Sequence, residues 1–221
     1  MTERLMDLLQ TYHGPGVFNQ YQDWDPALDR PDAPALRRVN LFHYLTAFAE
    51  ATYVLVGEAA GYAGCRFSGI PFTGEAQLVG PAPLSWAAVE SGNQPPLALP
   101  PLSQTSLAEP WRERSAEIVW PALNGRRDCV LWNAFPWHPH ADQPLTNRRP
   151  RVSELRQAAP VLRHFLSMFS HAKVFAVGRV SQSALRALDV NAMYIRHPSH
   201  GGNRAFTAAV TSLPRGDLNP A

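Results

Sequence analysis

Glu58, Phe72, Asn133 and His197 are residues whose chemical types could act together on one substrate. A side-chain amide places a donor beside an acceptor and can match the edge of a nucleobase. An aromatic ring offers that base a stacking face. An imidazole can stabilise negative charge on a departing group. A carboxylate can orient water or balance a cationic transition state. Together they suit cleavage of the bond to a base turned out of its stack. Each has a plainer reading alone: Glu58 as a helix-end carboxylate, Asn133 as a turn cap, His197 before Pro198 as structural, Phe72 as core. His138 and His140 have one residue between them and no second pair at ligand spacing, so no metal is expected. The chain contains no GxSxG elbow, GxxxxGK[ST] loop or GxGxxG fingerprint.

These residues need elements to position them. Short apolar runs at Thr52–Val56, Cys129–Trp132, Lys173–Val177 and Ala192–Ile195 lack polar alternation, as strands buried on both faces do. Helical stretches are expected at Ala35–Ala51, Trp111–Leu123, Ser153–Ser170, Ser181–Leu188 and Asn203–Leu213. Alternation of the two gives an α/β class: a three-layer α/β/α sandwich around a central, mainly parallel four-stranded sheet. Ligands of such sheets sit at the carboxyl ends of the strands. Glu58, Asn133 and His197 each fall just past a predicted strand. One domain over 1–221 is expected, with an N-terminal helix and extension over 1–34 and a long irregular excursion over 66–110.

Composition excludes several classes. The 221 residues are 45% hydrophobic and 17% charged, enough for a core and unlike a disordered polyelectrolyte. Two cysteines, Cys65 and Cys129, supply neither a disulfide framework nor the four thiolates of an iron–sulfur cluster. The longest apolar runs are too short to span a bilayer, and the N-terminus lacks the features of a signal peptide, so a cytoplasmic protein without a membrane partner is expected. Net charge is +2, which permits a nucleic-acid partner without arguing for one. Of the 20 basic residues only Lys173 is a lysine.

Three segments, taken in order, resemble a known family. Val54–Glu75 (VLVGEAAGYAGCRFSGIPFTGE) is similar to the first motif region of the uracil-DNA glycosylase superfamily, Leu131–His140 (LWNAFPWHPH) to its second-strand motif, and Arg196–Asn203 (RHPSHGGN) to its His-Pro-Ser loop. The resemblance runs from about residue 35 to the C-terminus. It implies a monomeric DNA glycosylase that hydrolyses the N-glycosidic bond of uracil flipped from DNA and leaves an abasic site. Asn133 would read the Watson–Crick edge, Phe72 would stack on the base, and His197 would stabilise charge at O2. Glu58 lies in the water-activating motif, and Gly57, Ala59 and Gly61 would line the base pocket. Ser199, His200 and Gly201 would press on the duplex. Arg66, Arg148 and Arg149 are expected to contact phosphate.

The departures from the family pattern are informative. Ala59 stands where the best-studied branch carries aspartate, Ala60 replaces the usual proline, and Gly61 stands where some members carry a tyrosine that blocks C5-methylated bases. The space beside Gly61 is thus expected to be open. The closest motif match is a branch with an iron–sulfur cluster, and this chain lacks the cysteines, so no cofactor is expected. Strand cleavage usually uses an amine, and Lys173 begins a predicted strand at the end away from the site, so a monofunctional enzyme is expected. Two other readings remain: a glycosylase for another deaminated or C5-modified base, and a catalytically weak damage-binding protein.

Overall fold

The computed structural model describes residues 1–79, 84, 110–199 and 201–215. In chain order the elements are α1 (Thr2–Gln10), β1 (Val17–Phe18), α2 (Ala33–Ala47), β2 (Tyr53–Ala59), α3 (Cys65–Ser68), α4 (Glu75–Val79), α5 (Ala116–Leu123), β3 (Cys129–Phe135), β4 (His138–Pro139), α6 (Val152–Met168), β5 (Lys173–Val177), α7 (Arg179–Arg186), β6 (Met193–Ile195) and α8 (Asn203–Thr211). Four strands form a parallel sheet in the order β3-β2-β5-β6. Helices α6 and α7 pack against it, and α5 packs against α8. This is the α/β/α architecture that the alternation of elements predicts.

The strands are apolar because they are covered on both sides. Every residue of β3 is buried, as is β2 from Tyr53 to Gly57. Strand β3 is an edge strand, which leaves backbone groups without a ladder partner. Tyr44 on α2 meets this need at Leu131: its hydroxyl donates to the Leu131 carbonyl at 3.1 Å and accepts the Leu131 N–H at 2.5 Å. Helix α6 begins where Glu154 reaches back to accept the Arg151 N–H at 2.6 Å, closing the first turn.

Three features differ from the sequence expectation. Strands β2 and β3 run on through Ala59 and Phe135, so Glu58 and Asn133 sit in the last turns of pleat rather than in loops. Helix α5 starts at Ala116, not Trp111, with Ser115 at its N-cap; Trp111–Arg114 is a connecting segment. A second, two-stranded sheet pairs Val17 and Phe18 with Pro139 and His138. Strands of two residues carry no readable periodicity. The expected excursion over 66–110 begins as the short helices α3 and α4, and its residues 80–83 and 85–109 lie outside the described residues. Among the described residues no helix is long and apolar enough to cross a membrane.

Candidate active site

The parallel register sets Gly57 of β2 directly beside Asn133 of β3. A Cβ on Gly57 would lie 2.2 Å from Phe72 Cζ and 2.9 Å from Asn133 Oδ1. Only a residue without a side chain lets the Phe72 ring and the Asn133 amide approach one strand so closely. Phe72 itself adopts φ of 53°, a left-handed conformation unusual for an aromatic residue. Two acceptors next to it are tied down: Trp120 Nε1 of α5 is 3.0 Å from the Phe72 carbonyl and 3.2 Å from Thr73 Oγ1. The crossover helix therefore holds the strained residue in place.

His197 follows β6. Its ring centroid lies 6.0 Å from that of Phe72, with the planes tilted by 34°. The Ser199 N–H donates to His197 Nδ1 at 3.2 Å, and Ser199 Oγ lies 2.7 Å from the same atom. An Nδ1 that accepts an N–H carries no proton, so the neutral ring keeps its hydrogen on Nε2. Ser199, expected to press on DNA, is thus found fixing the tautomer of His197. Gly201 lies in the turn before α8. His200 lies outside the described residues.

These groups line one groove of about 820 Å³, together with Glu58, Ala59, Gly61 and a set of arginines. Arg112, Arg114, Arg149, Arg179 and Arg196 line it and are exposed. Burial raises the pKa of Glu58, and Arg149, with Nε 3.8 Å from Oε1, lowers it. Two of the expected phosphate contacts are corrected. Arg66 is buried, with Nη1 2.6 Å from Asp29 Oδ1 and its guanidinium 4.2 Å from the Phe18 ring centroid. It cannot reach a phosphate; it joins Arg37 in a buried network that ties the N-terminal segment to α3. Arg148 lines the groove, but its amino groups lie 2.7 Å from both carboxylate oxygens of Glu154, and it also donates to the carbonyls of Gly16 and His140. Arg149 keeps the expected exposed position. His138 is buried, each ring nitrogen 3.0 Å from a backbone carbonyl, Ala60 or Pro144, and burial lowers its pKa to about 4.

One carboxylate of the groove has no counterpart in the sequence expectation. Glu113, in the segment between Trp111 and Ser115, turns its carboxyl toward the loop after β2. A Cβ on Gly64 would lie 1.7 Å from its Oε2, and one on Gly61 would lie 3.3 Å from its Oε1. The space beside Gly61 is therefore filled by Glu113, not open. Ser115 Oγ donates to Glu113 Oε1 at 2.5 Å. Oε2 is buried and has no hydrogen-bond partner among the described residues. Burial raises the pKa to about 6. The charge alternation of Trp111-Arg-Glu-Arg-Ser115, just ahead of a helix start, is the one sequence signal that marked this segment.

Comparisons with known proteins give the family and the fold. The family model described as the Uracil DNA glycosylase superfamily matches residues 44–214. No curated protein matches the chain. Among solved structures, the crystal structure of wild-type SMUG2 from Pedobacter heparinus superposes with a TM-score of 0.52 at 13% identity, covering 95% of this chain and 93% of that one. At that identity the likeness speaks for the fold alone.

Proposed function

The chain belongs to the uracil-DNA glycosylase superfamily and is a DNA glycosylase, and on this premise we propose that it hydrolyses the N-glycosidic bond of uracil flipped out of DNA, without cutting the strand. The observation that carries the reading is the meeting of Asn133 and the Phe72 ring over Gly57. A base stacked on Phe72 would present its edge to the Asn133 amide. The amide carbonyl accepts from N3–H and its NH2 donates to O4. Cytosine offers the reversed pattern, and a well-placed pair of this kind discriminates by about 1–3 kcal/mol. His197, with its proton on Nε2, donates to O2 as negative charge develops there. A neutral donor suffices for this role. Glu58 would balance positive charge on the sugar as the bond breaks.

The exposed arginines of the groove would hold phosphates without reading sequence. Lys173, the sole lysine, pairs with Tyr53 at the start of β2, the opposite end of the sheet from Asn133. It is out of reach as a Schiff-base nucleophile, which supports a product with an intact abasic strand.

The test is release of labelled uracil from an oligonucleotide by wild type, Asn133→Ala and His197→Ala. Both variants are expected to lose at least ~100-fold in single-turnover rate. Wild-type activity left unchanged in both would remove these assignments. Parallel oligonucleotides carrying hypoxanthine or C5-modified pyrimidines report the lesion preference.

A further inference from the structure

Of the large apolar side chains exposed among the described residues, only Tyr194 lines the groove. It lies on β6, an edge strand of the sheet, and leaves 47% of its surface exposed. A lone exposed ring is ordinary on a protein surface, and it is the place of this one that gives it meaning. The other aromatic rings of the groove are already engaged. Phe72 is buried against Gly57, and the half-buried Tyr62 meets Trp111 edge-on with ring centroids 6.2 Å apart. Tyr194 makes no ring contact and no side-chain hydrogen bond among the described residues.

The strand sets where the ring stands. Side chains alternate across a strand. Ile195 is buried, while Tyr194 before it and Arg196 after it both line the groove and are exposed. Tyr194 and His197 are three residues apart, at most about 10 Å of extended chain. The ring therefore stands beside the base pocket rather than in it. Arg179, the first residue of α7, lines the same side of the groove and is exposed as well.

We propose that Tyr194 is a second base-binding position: its ring stacks on the nucleobase next to the flipped one, while Arg179 and Arg196 hold the phosphates of that nucleotide. This rests on the glycosylase reading above. Cations that track the backbone and a ring that takes the base are the means by which an unpaired strand is held, and every base offers such a ring a face. Within a duplex the neighbouring base is covered by its own stack and pair, so the ring meets it only where the strand is open. Stacking strength grows with the size of the base. The position therefore also sets a context preference, with a purine beside the uracil held better than a pyrimidine.

The experiment measures affinity for single-stranded oligonucleotides that carry 2′-fluorinated deoxyuridine, whose fluorine disfavours positive charge at C1′ and so blocks cleavage. The nucleotide on each side of it carries adenine, cytosine or no base. Wild type is expected to prefer adenine on one side and to lose about 10-fold in affinity when that base is removed. Tyr194→Ala should lose a similar factor on the adenine strand and then be indifferent to removal of the base. Tyr194→Phe keeps the ring and should keep the wild-type pattern. Phe42→Ala, which removes a ring that is 46% exposed on α2 outside the groove, should bind as wild type does. A loss in Tyr194→Phe equal to that in Tyr194→Ala would assign the contact to the hydroxyl. Losses from Tyr194→Ala and from base removal that simply add would mean that ring and base do not meet. Either result overturns the proposal, as does a wild type indifferent to the neighbouring base. A wild type that shows the pattern yet releases no uracil from the unfluorinated strand refutes the uracil reading and leaves the stacking position standing.

Discussion

Substitution of Gly57 by alanine is the sharpest probe of how the site is assembled. The added methyl would lie 2.2 Å from Phe72 Cζ and 2.5 Å from Cε2. Carbon atoms rest at about 3.5–4.0 Å, so the ring must retreat by at least ~1.3 Å. Its backbone cannot follow easily, because Trp120 Nε1 holds the Phe72 carbonyl and Thr73. The methyl also lies 2.9 Å from Asn133 Oδ1, so both base-contacting groups are displaced at once. Overpacking of this kind costs about 1–3 kcal/mol. At this chain length that lowers the melting temperature by roughly 3–9 °C. A misplacement near 1 Å slows chemistry by about 100-fold. The assay pairs thermal melting with single-turnover uracil release, in Gly57→Ala, Phe72→Leu and the double variant. Leucine removes the clashing ring atoms, so the double variant should recover most of the lost stability but none of the activity. A Gly57→Ala protein with wild-type melting and wild-type rate would show that the ring does not lie against this strand.

Arg66→Ala should lower stability by about 3–5 kcal/mol, through its buried pairing with Asp29, and leave the salt dependence of DNA binding unchanged; Arg149→Ala should do the reverse, weakening binding and reducing the salt slope by about one. Titrations of affinity against salt, beside denaturant melts, separate the two. Ser199→Ala should slow uracil release by about 10-fold with DNA affinity retained, because His197 loses the hydroxyl beside Nδ1 that helps fix its tautomer; an unchanged rate would mean the backbone N–H suffices. Burial depresses the pKa of His138 from 6.5 to about 4, outweighing the two carbonyls beside its ring. Its contribution is present above pH 6.5 and is lost as pH falls toward 4, where the unfolded chain binds the proton first. The loss is on the order of 3 kcal/mol, and His138→Gln should flatten that part of a stability-against-pH curve.

The parallel sheet, and Asn133 and His197 at its strand ends, were legible because each signal is local, whereas Phe72 was singled out through the family resemblance. An apolar run marks a buried strand, and the residues that follow it mark the strand tip. What escaped depends on distant partners. Arg66 lies in the loop region after the first strand and looks exposed in sequence, but its environment is set by Asp29, 37 residues away, and by Phe18. Arg148 is likewise decided by Glu154 and the Gly16 carbonyl. Glu113 was hidden for another reason. The helix expected over Trp111–Leu123 gave it no role, and only the bare Cα positions of Gly61 and Gly64 reveal that its carboxyl turns inward. The open space expected at Gly61 failed by the same mechanism: a missing side chain in one segment is filled by a long one from another.

The register of β2 against β3 has a consequence for how the protein can be studied while it forms. Gly57 faces Asn133 only in one alignment of the two strands. A slip by a single residue turns every side chain of a strand to the opposite face. A molecule with such a slip could keep native-like secondary structure and collapse, while its amide points away from Phe72. Recovery of base release during refolding therefore times the arrival of correct strand alignment, and its delay behind the circular-dichroism signal would measure how long misaligned chains persist.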